Sequence, residues 1–452
     1  MINPQIFRQY DIRGIVDQDL NPEVLNSIGK AFGSYVARKG KKTVAIGGDA
    51  RDTTLEYKKA FIEGLMSAGC DVTDIGMVAT PVLYYAIHEL NVDAGAMITA
   101  SHNPKEYNGI KLNIGLESVY GDGIQDVLKI IQNADFVESK GSCKEFRGII
   151  DLYSKYIAKF AEIVRPVKCI VDAGNGVGGP ILPNILRAMG CEVKEMYCEA
   201  DGTFPNHHPD PTVEAYMTDL INEMKKGEYE VGIGLDGDAD RLGIIDDKGN
   251  MLYGDQIITI LARDYLEKDP GKPVLADVKC SKTLFDDIEN RGGKPIMYKT
   301  GHSNIKGKMK EDGIKFGGEM SGHIFFADKY LGVDDAMYAC LRFLEILSKT
   351  TKKCSELLAD IPKMYNTPEI RFDTNDETKF EIVNKVRDYF IQEGYVVNDI
   401  DGMRVTFNDG WGLIRASNTQ PALVMRFEAT TENRLYEIKN LIEGKLKELQ
   451  DS

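Results

Sequence analysis

Apolar residues in the first 360 or so positions of this chain gather in short unbroken runs, and nearer the end they take alternating or helical spacings. Three of the runs share one theme, a β-branched strand that enters an Asp-containing loop and then a helical pattern. They are Thr43-Val-Ala-Ile-Gly-Gly-Asp49, Cys169-Ile-Val-Asp-Ala-Gly-Asn175 and Pro273-Val-Leu-Ala-Asp-Val-Lys279. Strands without interrupting polar residues are those buried on both faces, as in parallel sheets covered by helices. Their recurrence at roughly 100–125 residues is too long for a solenoid and suits similar α/β domains in series.

Past Pro362–Pro368 the pattern changes. Glu369-Ile-Arg-Phe372 predicts a strand, and a helix is expected from about Asp376, with Phe380, Val383, Val386 and Phe390 at helical spacing and Gly394 as its stop. Arg404–Phe407, Gly412–Ala416 and Leu423–Phe427 read as strands. A last amphipathic helix, capped by Thr431, carries Leu435, Ile438, Leu441, Ile442 and Leu446. This is α+β order, so a domain boundary is expected here. Low-complexity linkers are absent, which predicts domains packed around a shared cleft.

Composition narrows the function. At 452 residues the chain exceeds what one core supports, and its net charge of −15 lacks the basic footprint of a duplex-binding protein. Any anion site must therefore be built locally from Arg, Lys and backbone N–H groups. No apolar run approaches the roughly 18 residues of a membrane span, and the first residues show no leader pattern. The eight cysteines are scattered without a C-x-x-C pair, which fits reduced, buried thiols and predicts a cytoplasmic location.

Four constellations carry candidate chemistry. In Met97-Ile-Thr-Ala-Ser-His-Asn-Pro104, Ser101 follows the apolar strand Ala94–Ile98, with Lys105 and Lys111 behind it as cations for a phosphate. A Ser turn capping the next element is the competing reading. In Val231-Gly-Ile-Gly-Leu-Asp-Gly-Asp-Ala-Asp-Arg241, a strand ends in Asp236, Asp238 and Asp240 at alternate positions. Gathered without a cation, each pair of carboxylates repels by about 4 kcal/mol at about 4 Å and an effective dielectric near 20. Oxygen-only ligands suit a hard ion such as Mg²⁺, whereas the EF-hand pattern fails at Arg241 and Asp247. A plain acidic turn is the alternative. In Phe316-Gly-Gly-Glu-Met-Ser-Gly-His-Ile324, an extended loop would point Glu319, Ser321 and His323 to one side, with groups suited to sugar hydroxyls and proton transfer. In Arg415-Ala-Ser-Asn-Thr-Gln-Pro421, with Arg426 beyond, hydroxyls, amides and guanidiniums could cradle a phosphate. Taken singly, the last two patterns are equally compatible with simple polar turns.

Taken in order, these residues resemble the α-D-phosphohexomutase superfamily, in its phosphomannomutase/phosphoglucomutase branch. The resemblance runs through Phe7-Arg-Gln-Tyr-Asp-Ile-Arg-Gly14, Thr99-Ala-Ser-His-Asn-Pro104, Tyr107-Asn-Gly-Ile-Lys111 and Asp236-Gly-Asp-Ala-Asp-Arg241. It continues through Thr300-Gly-His-Ser303, Gly318-Glu-Met-Ser-Gly-His323 and Arg415-Ala-Ser-Asn-Thr419. Gln9 stands where Ala is common and Ala239 where Gly often appears; neither removes a ligand.

The resemblance implies three similar mixed α/β domains at 1–150, 151–253 and 254–366, then an α+β domain at 367–452, around a central active-site cleft. It implies a mutase that interconverts hexose 1-phosphate and hexose 6-phosphate (mannose, glucose or both) through phosphoserine 101 and a hexose 1,6-bisphosphate. Asp236, Asp238 and Asp240 with the serine phosphate would hold one Mg²⁺. Lys111 and His323, with Arg13, would serve the chemistry. Glu319 and Ser321 would read the sugar, and Arg415, Ser417, Asn418 and Thr419, with Arg426, would clamp the unreacting phosphate. Arg241, Lys279 and His302 would complete the substrate site. Hexose phosphates are the only partners implied, with no nucleic acid, membrane or obligate protein. Phosphoglucosamine mutase is the alternative activity, disfavoured because Met320 stands where that branch has Gln. A non-catalytic phosphosugar-binding protein would have lost the serine or the carboxylates, and both are present.

Overall fold

The chain builds four sheets in series, seen in a computed structural model that describes residues 2–375, 377–417 and 422–450. The first unit comprises β1 (Ile12–Ile15), α1 (Pro22–Arg38), β2 (Thr43–Gly48), α2 (Thr54–Ser67), β3 (Asp71–Met77), α3 (Thr80–Glu89), β4 (Ala94–Ile98), β5 (Tyr107–Ile114), β6 (Glu117–Ser118), α4 (Asp122–Gln132) and β7 (Ser142–Glu145). The second has α5 (Ile149–Ala158), β8 (Lys168–Asp172), α6 (Leu182–Ala188), β9 (Glu192–Met196), α7 (Thr218–Met224), β10 (Val231–Leu235), β11 (Leu242–Ile245) and β12 (Met251–Leu252). The third has α8 (Gly254–Lys268), β13 (Pro273–Asp277), α9 (Lys282–Asn290), β14 (Lys294–Tyr298), α10 (His302–Asp312), β15 (Phe316–Gly318), β16 (Ile324–Phe326) and α11 (Ala336–Lys349).

One topology repeats in these units. A central strand (β2, β8, β13) lies between two parallel neighbours, β3 and β4, β9 and β10, or β14 and β15. The third parallel strand then turns into an antiparallel partner, β5, β11 or β16. The three runs singled out by their hydrophobic pattern are thus the three central strands, buried because helices cover both faces. The largest apolar core is shared: it joins α3 of the first unit to the second and third units through residues such as Tyr85, Tyr153, Leu235, Phe326 and Leu344.

The fourth unit is antiparallel throughout. It comprises β17 (Tyr365–Asn366), β18 (Ile370–Asp373), α12 (Lys379–Gln392), β19 (Val396–Asn398), β20 (Met403–Phe407), β21 (Gly410–Ala416), β22 (Ala422–Ala429) and α13 (Glu432–Gln450). Its core, including Val386, Phe390, Ile414 and Ile438, is separate from that of the body. Two positions in the expected helical stripes lie outside it: Phe380 is 54% exposed and Leu441 40%. On α12 the Val383–Val386–Phe390 stripe takes Lys379 rather than Phe380 as its N-terminal neighbour, because at about 100° per residue Lys379 falls nearer the stripe's centre. Seven of the eight thiols are buried; Cys143, expected to be buried, is exposed on the edge strand β7. Among the described residues no helix is long and apolar enough to cross a membrane.

Candidate active site

Each α/β unit contributes its equivalent loop. The three connections β4–β5, β10–β11 and β15–β16 carry Ser101, Asp236–Asp240 and Glu319–His323 respectively, and contacts between them bring the loops together. Ser101 is buried and adopts φ 52°, a left-handed conformation that costs a non-glycine residue about 1–2 kcal/mol. Its Oγ donates to Asp236 Oδ2 at 2.7 Å, while its amide donates to Thr99 Oγ1 at 2.9 Å. His102 Nδ1 lies 3.1 Å from the same Oγ. Burial, helped by Arg241 and Arg13, pushes the His102 imidazole well down, so it is neutral. Lys105, expected among the phosphate-holding cations, is exposed. Arg13 on β1 reaches the serine loop, donating to Asp11 at 2.7 Å and to Asn103 Oδ1 at 2.5 Å.

Asp236, Asp238 and Asp240 are fully buried, with one oxygen from each within 4.8 Å of the others. Burial, then repulsion from Asp240 and Asp238, drives the Asp236 carboxyl well above its usual range. Asp240 is held low against burial by Lys111 and His323. Lys111 Nζ donates to Asp238 at 2.6 Å and to Asp240 at 2.5 Å, and these two carboxylates hold its ammonium above its usual pKa despite burial. Beside Lys111, His323 stands 3.3 Å from Asp240 Oδ1 and Arg241 4.0 Å from Asp236, while Asp238 Oδ1 accepts no hydrogen bond from any described residue. Three buried carboxylates with oxygens this close, one of them unpartnered, fit a hard divalent cation. Asp240 also groups with His323 and Asp334, but Lys306 Nζ already sits 2.9 Å from Asp334, so that set has less charge left to offer. Ala239, between Asp238 and Asp240, takes φ 60° at the corner that brings the Asp240 amide to Asp236 Oδ1.

The Glu319–His323 loop gathers its side chains by another route. Glu319, Ser321 and His323 do converge, but on a tight turn rather than an extended strand: the Gly322 amide donates to the Glu319 carbonyl, and Gly322 has φ 87°. His323 Nδ1 then lies 3.0 Å from Glu319 Oε2 and 3.1 Å from Ser321 Oγ. Its Nε2 is 3.3 Å from Asp240 Oδ1 and 3.4 Å from Arg241 Nε. Burial would lower the imidazolium, yet Asp240 and Glu319 carry it up to about 9, so Nε2 is protonated and the Arg241 approach is no hydrogen bond. Glu319 is buried with both oxygens engaged, the other accepting from the Gly301 amide at 2.5 Å. That amide precedes His302, whose Nδ1 lies 3.0 Å from Asp334 and whose ring stands 5.3 Å from that of His323.

From the fourth unit, Arg415 enters the same region, buried and donating to Asp401 at 2.9 Å. Lys279 reaches Glu369 at 3.3 Å across the boundary with the fourth unit. The Ser417 carbonyl accepts from Lys379 at 2.6 Å; Asn418 and Thr419 lie outside the described residues. Arg426, opposite Leu413, shares a face of the β21–β22 pair with Arg415, opposite Val424; it donates to the Lys279 carbonyl and approaches Asp255 at 3.5 Å.

Sequence reasoning missed three supports. Thr80, at the start of α3, donates through its hydroxyl to Asp238 at 2.6 Å and through its amide to the Asp238 carbonyl. Asp334 holds His302 and Lys306. Asp277 accepts from Thr300 Oγ1 and the Met320 amide, both at 3.0 Å, tying the loops of Thr300 and Glu319 to one strand end. A signal for Asp277 was present: Asp49, Asp172 and Asp277 end the three repeated strands, and each anchors the loop that follows.

The four models of the phosphoglucomutase/phosphomannomutase family match along the chain: alpha/beta/alpha domain I at 4–138, domain II at 151–249, domain III at 253–365 and the C-terminal domain at 369–445. The chain is 42% identical to a phosphomannomutase/phosphoglucomutase of Pseudomonas aeruginosa, over 99% of its own length and 96% of that protein's. It is 41% identical to a phosphoglucomutase of Neisseria gonorrhoeae, covering 97% and 96%. A crystal structure of a phosphoglucomutase/phosphomannomutase family protein from Burkholderia thailandensis superposes with a TM-score of 0.94 at 39% identity, covering 100% of this chain and 98% of that one.

Proposed function

This chain belongs to the phosphoglucomutase/phosphomannomutase family, and from that premise we propose how its own residues carry out the exchange of phosphoryl groups. It is a phosphohexomutase, acting between hexose 1-phosphates and hexose 6-phosphates. Ser101 is the phosphoryl carrier. Its phosphate passes to the free 6-hydroxyl of a hexose 1-phosphate, leaving a hexose 1,6-bisphosphate; the intermediate turns over, and Ser101 takes back the phosphoryl from O1.

The observation that carries this reading is the 2.7 Å approach of Ser101 Oγ to a buried triad of carboxylates in which Asp238 keeps an unpartnered oxygen. Asp236, Asp238 and Asp240 would hold a magnesium ion, which supplies charge neutralisation for the transferring phosphoryl oxygens. Lys111 keeps its proton through the neutral range and serves as a fixed cation. His323 is the better proton carrier. Its imidazolium, held up to about 9 by Asp240 and Glu319, gives a proton to the serine oxygen as the phosphoryl leaves and takes up the one that the sugar 6-hydroxyl releases, with the reverse exchange on return. Glu319 and Ser321 aim His323 and present acceptors to sugar hydroxyls. Arg415 grips whichever phosphate is not reacting, which lets one clamp serve both orientations of the bisphosphate.

Mannose and glucose differ at C2, a difference that need not touch Glu319 or Ser321, so both sugars should be used. The test is to incubate the purified protein with Mg²⁺ and each sugar 1-phosphate, following 6-phosphate formation together with the mass of the peptide bearing Ser101. Product from both sugars with a phosphate on Ser101 is the expected result. Product formed while Ser101 stays unmodified throughout turnover would overturn the mechanism.

A further inference from the structure

The loop that carries Ser101 is moulded from behind by a residue that touches neither substrate nor metal ligands. Arg51, in the turn between β2 and α2, is 3% exposed. Every N–H of its guanidinium is used. Nη1 donates to the carbonyls of Pro104 at 2.7 Å and Tyr107 at 3.0 Å. Nη2 donates to the carbonyls of Ser101 at 2.9 Å and Asn103 at 2.6 Å. Nε donates to Asp49 at 3.2 Å, and Asp49 is itself pinned by the Arg51 amide and the Thr54 hydroxyl. The ring of Phe204, from the second unit, lies 5.0 Å from the guanidinium carbon.

Three carbonyls of one short loop, and that of Tyr107 where the loop enters β5, thus converge on a single planar cation. Such a loop has few other ways to satisfy buried carbonyls, since it belongs neither to a helix nor to a sheet. The Ser101 carbonyl is held from the other side too, where a Cβ on Gly237 of the metal loop would stand 2.5 Å from it. With the carbonyl fixed and the amide on Thr99, the left-handed φ of 52° at Ser101 leaves Oγ aimed at Asp236.

We propose that Arg51 is a positioning residue of the mutase reaction, a guanidinium template that imposes the left-handed turn at Ser101 and so aims the phosphoryl-bearing oxygen at the carboxylate triad in every half-reaction. The inference rests on Ser101 being the phosphoryl carrier. It requires the geometry of the fork rather than its charge. A lysine has three donors at one point and cannot span carbonyls from 101 to 107.

Arg51→Lys in the full chain, assayed with glucose 1-phosphate, Mg²⁺ and glucose 1,6-bisphosphate as activator, is the test. A misplaced nucleophile slows the step without loosening binding, so kcat should fall by about 10²-fold while KM stays within about threefold. Amide exchange should quicken over residues 100–108, with the melting temperature of the body kept. A kcat within about threefold of the parent overturns the proposal, as does a loss of kcat that tracks a general loss of melting temperature and of sugar phosphate affinity. If Arg51→Lys does not fold, Phe204→Leu decides, because it removes only the plate beneath the guanidinium. A kcat lowered more than about threefold at parental KM supports the template, and parental kcat overturns it. Phosphate on Ser101 in the parent, measured by mass in the same preparations, separates the two failures: its presence beside an unaffected Arg51→Lys leaves the carrier standing and rejects the template alone.

Discussion

The three α/β units and the C-terminal unit are joined in opposite ways. Between the former, one apolar core runs without a break from α3 through β8 and β10 to α11. The C-terminal unit closes its own core and meets the third unit chiefly through polar contacts: Arg404 on the Val278 and Cys280 carbonyls, Arg426 on the Lys279 carbonyl, and Asp401 on the Thr300 amide. The apolar part of that junction is small, with Val278, Trp411 and Leu413 at its centre. Apolar continuity makes the body a single mechanical piece, whereas hydrogen bonds to carbonyls can be exchanged for water at modest net cost. The groups proposed to react therefore sit on the rigid part, and the phosphate grip on the part that can let go.

The sharpest way to separate the two parts is to remove one function from each. Ser101→Ala should lower turnover by about 10⁴-fold or more while hexose phosphate affinity, read by calorimetry, stays within about threefold. Arg415→Ala should do the reverse, raising KM by about 10–10²-fold through loss of charged hydrogen bonds, with a smaller effect on Ser101 phosphorylation. Leu344→Ala, fully buried on α11, should cost about 3 kcal/mol in denaturant unfolding and lower the stability of all three α/β units together. Separate transitions for those units would refute the shared core. Arg404→Ala should cost about 2 kcal/mol, seen as faster amide exchange in β20–β22 with the body's exchange unchanged.

The smallest effect concerns pH. Lys279 holds the Glu369 carboxyl down to about 2 from an ordinary 4.5. A depressed carboxylate stabilises above its unfolded pKa, and the contribution disappears as pH falls through the window between those values. Exchange at the junction should therefore rise with acid over that window, and Glu369→Gln should flatten the dependence. An unchanged dependence in the variant would assign the acid sensitivity elsewhere.

Much was legible because it is local. Unbroken β-branched runs identified the three central strands, since burial on both faces leaves no room for polar residues. Alternate carboxylates after β10 marked a candidate cation site, and the fold does bury all three side by side. Chain order alone placed Gly394 at a helix end, and it does follow α12 with φ 82°. Contacts made across long separations were not legible. Nothing near Arg426 tells that β22 turns it toward Lys279, nothing near Lys111 that it would lie between Asp238 and Asp240, and nothing in Gly-Glu-Met-Ser-Gly-His that a tight turn rather than an extended run would gather its side chains. Patterns of hydrophobicity and charge are written into neighbouring residues, so the chain alone decided which loops would carry chemistry. How those loops face one another depends on sheets packed hundreds of residues apart, and that only the folded molecule decided.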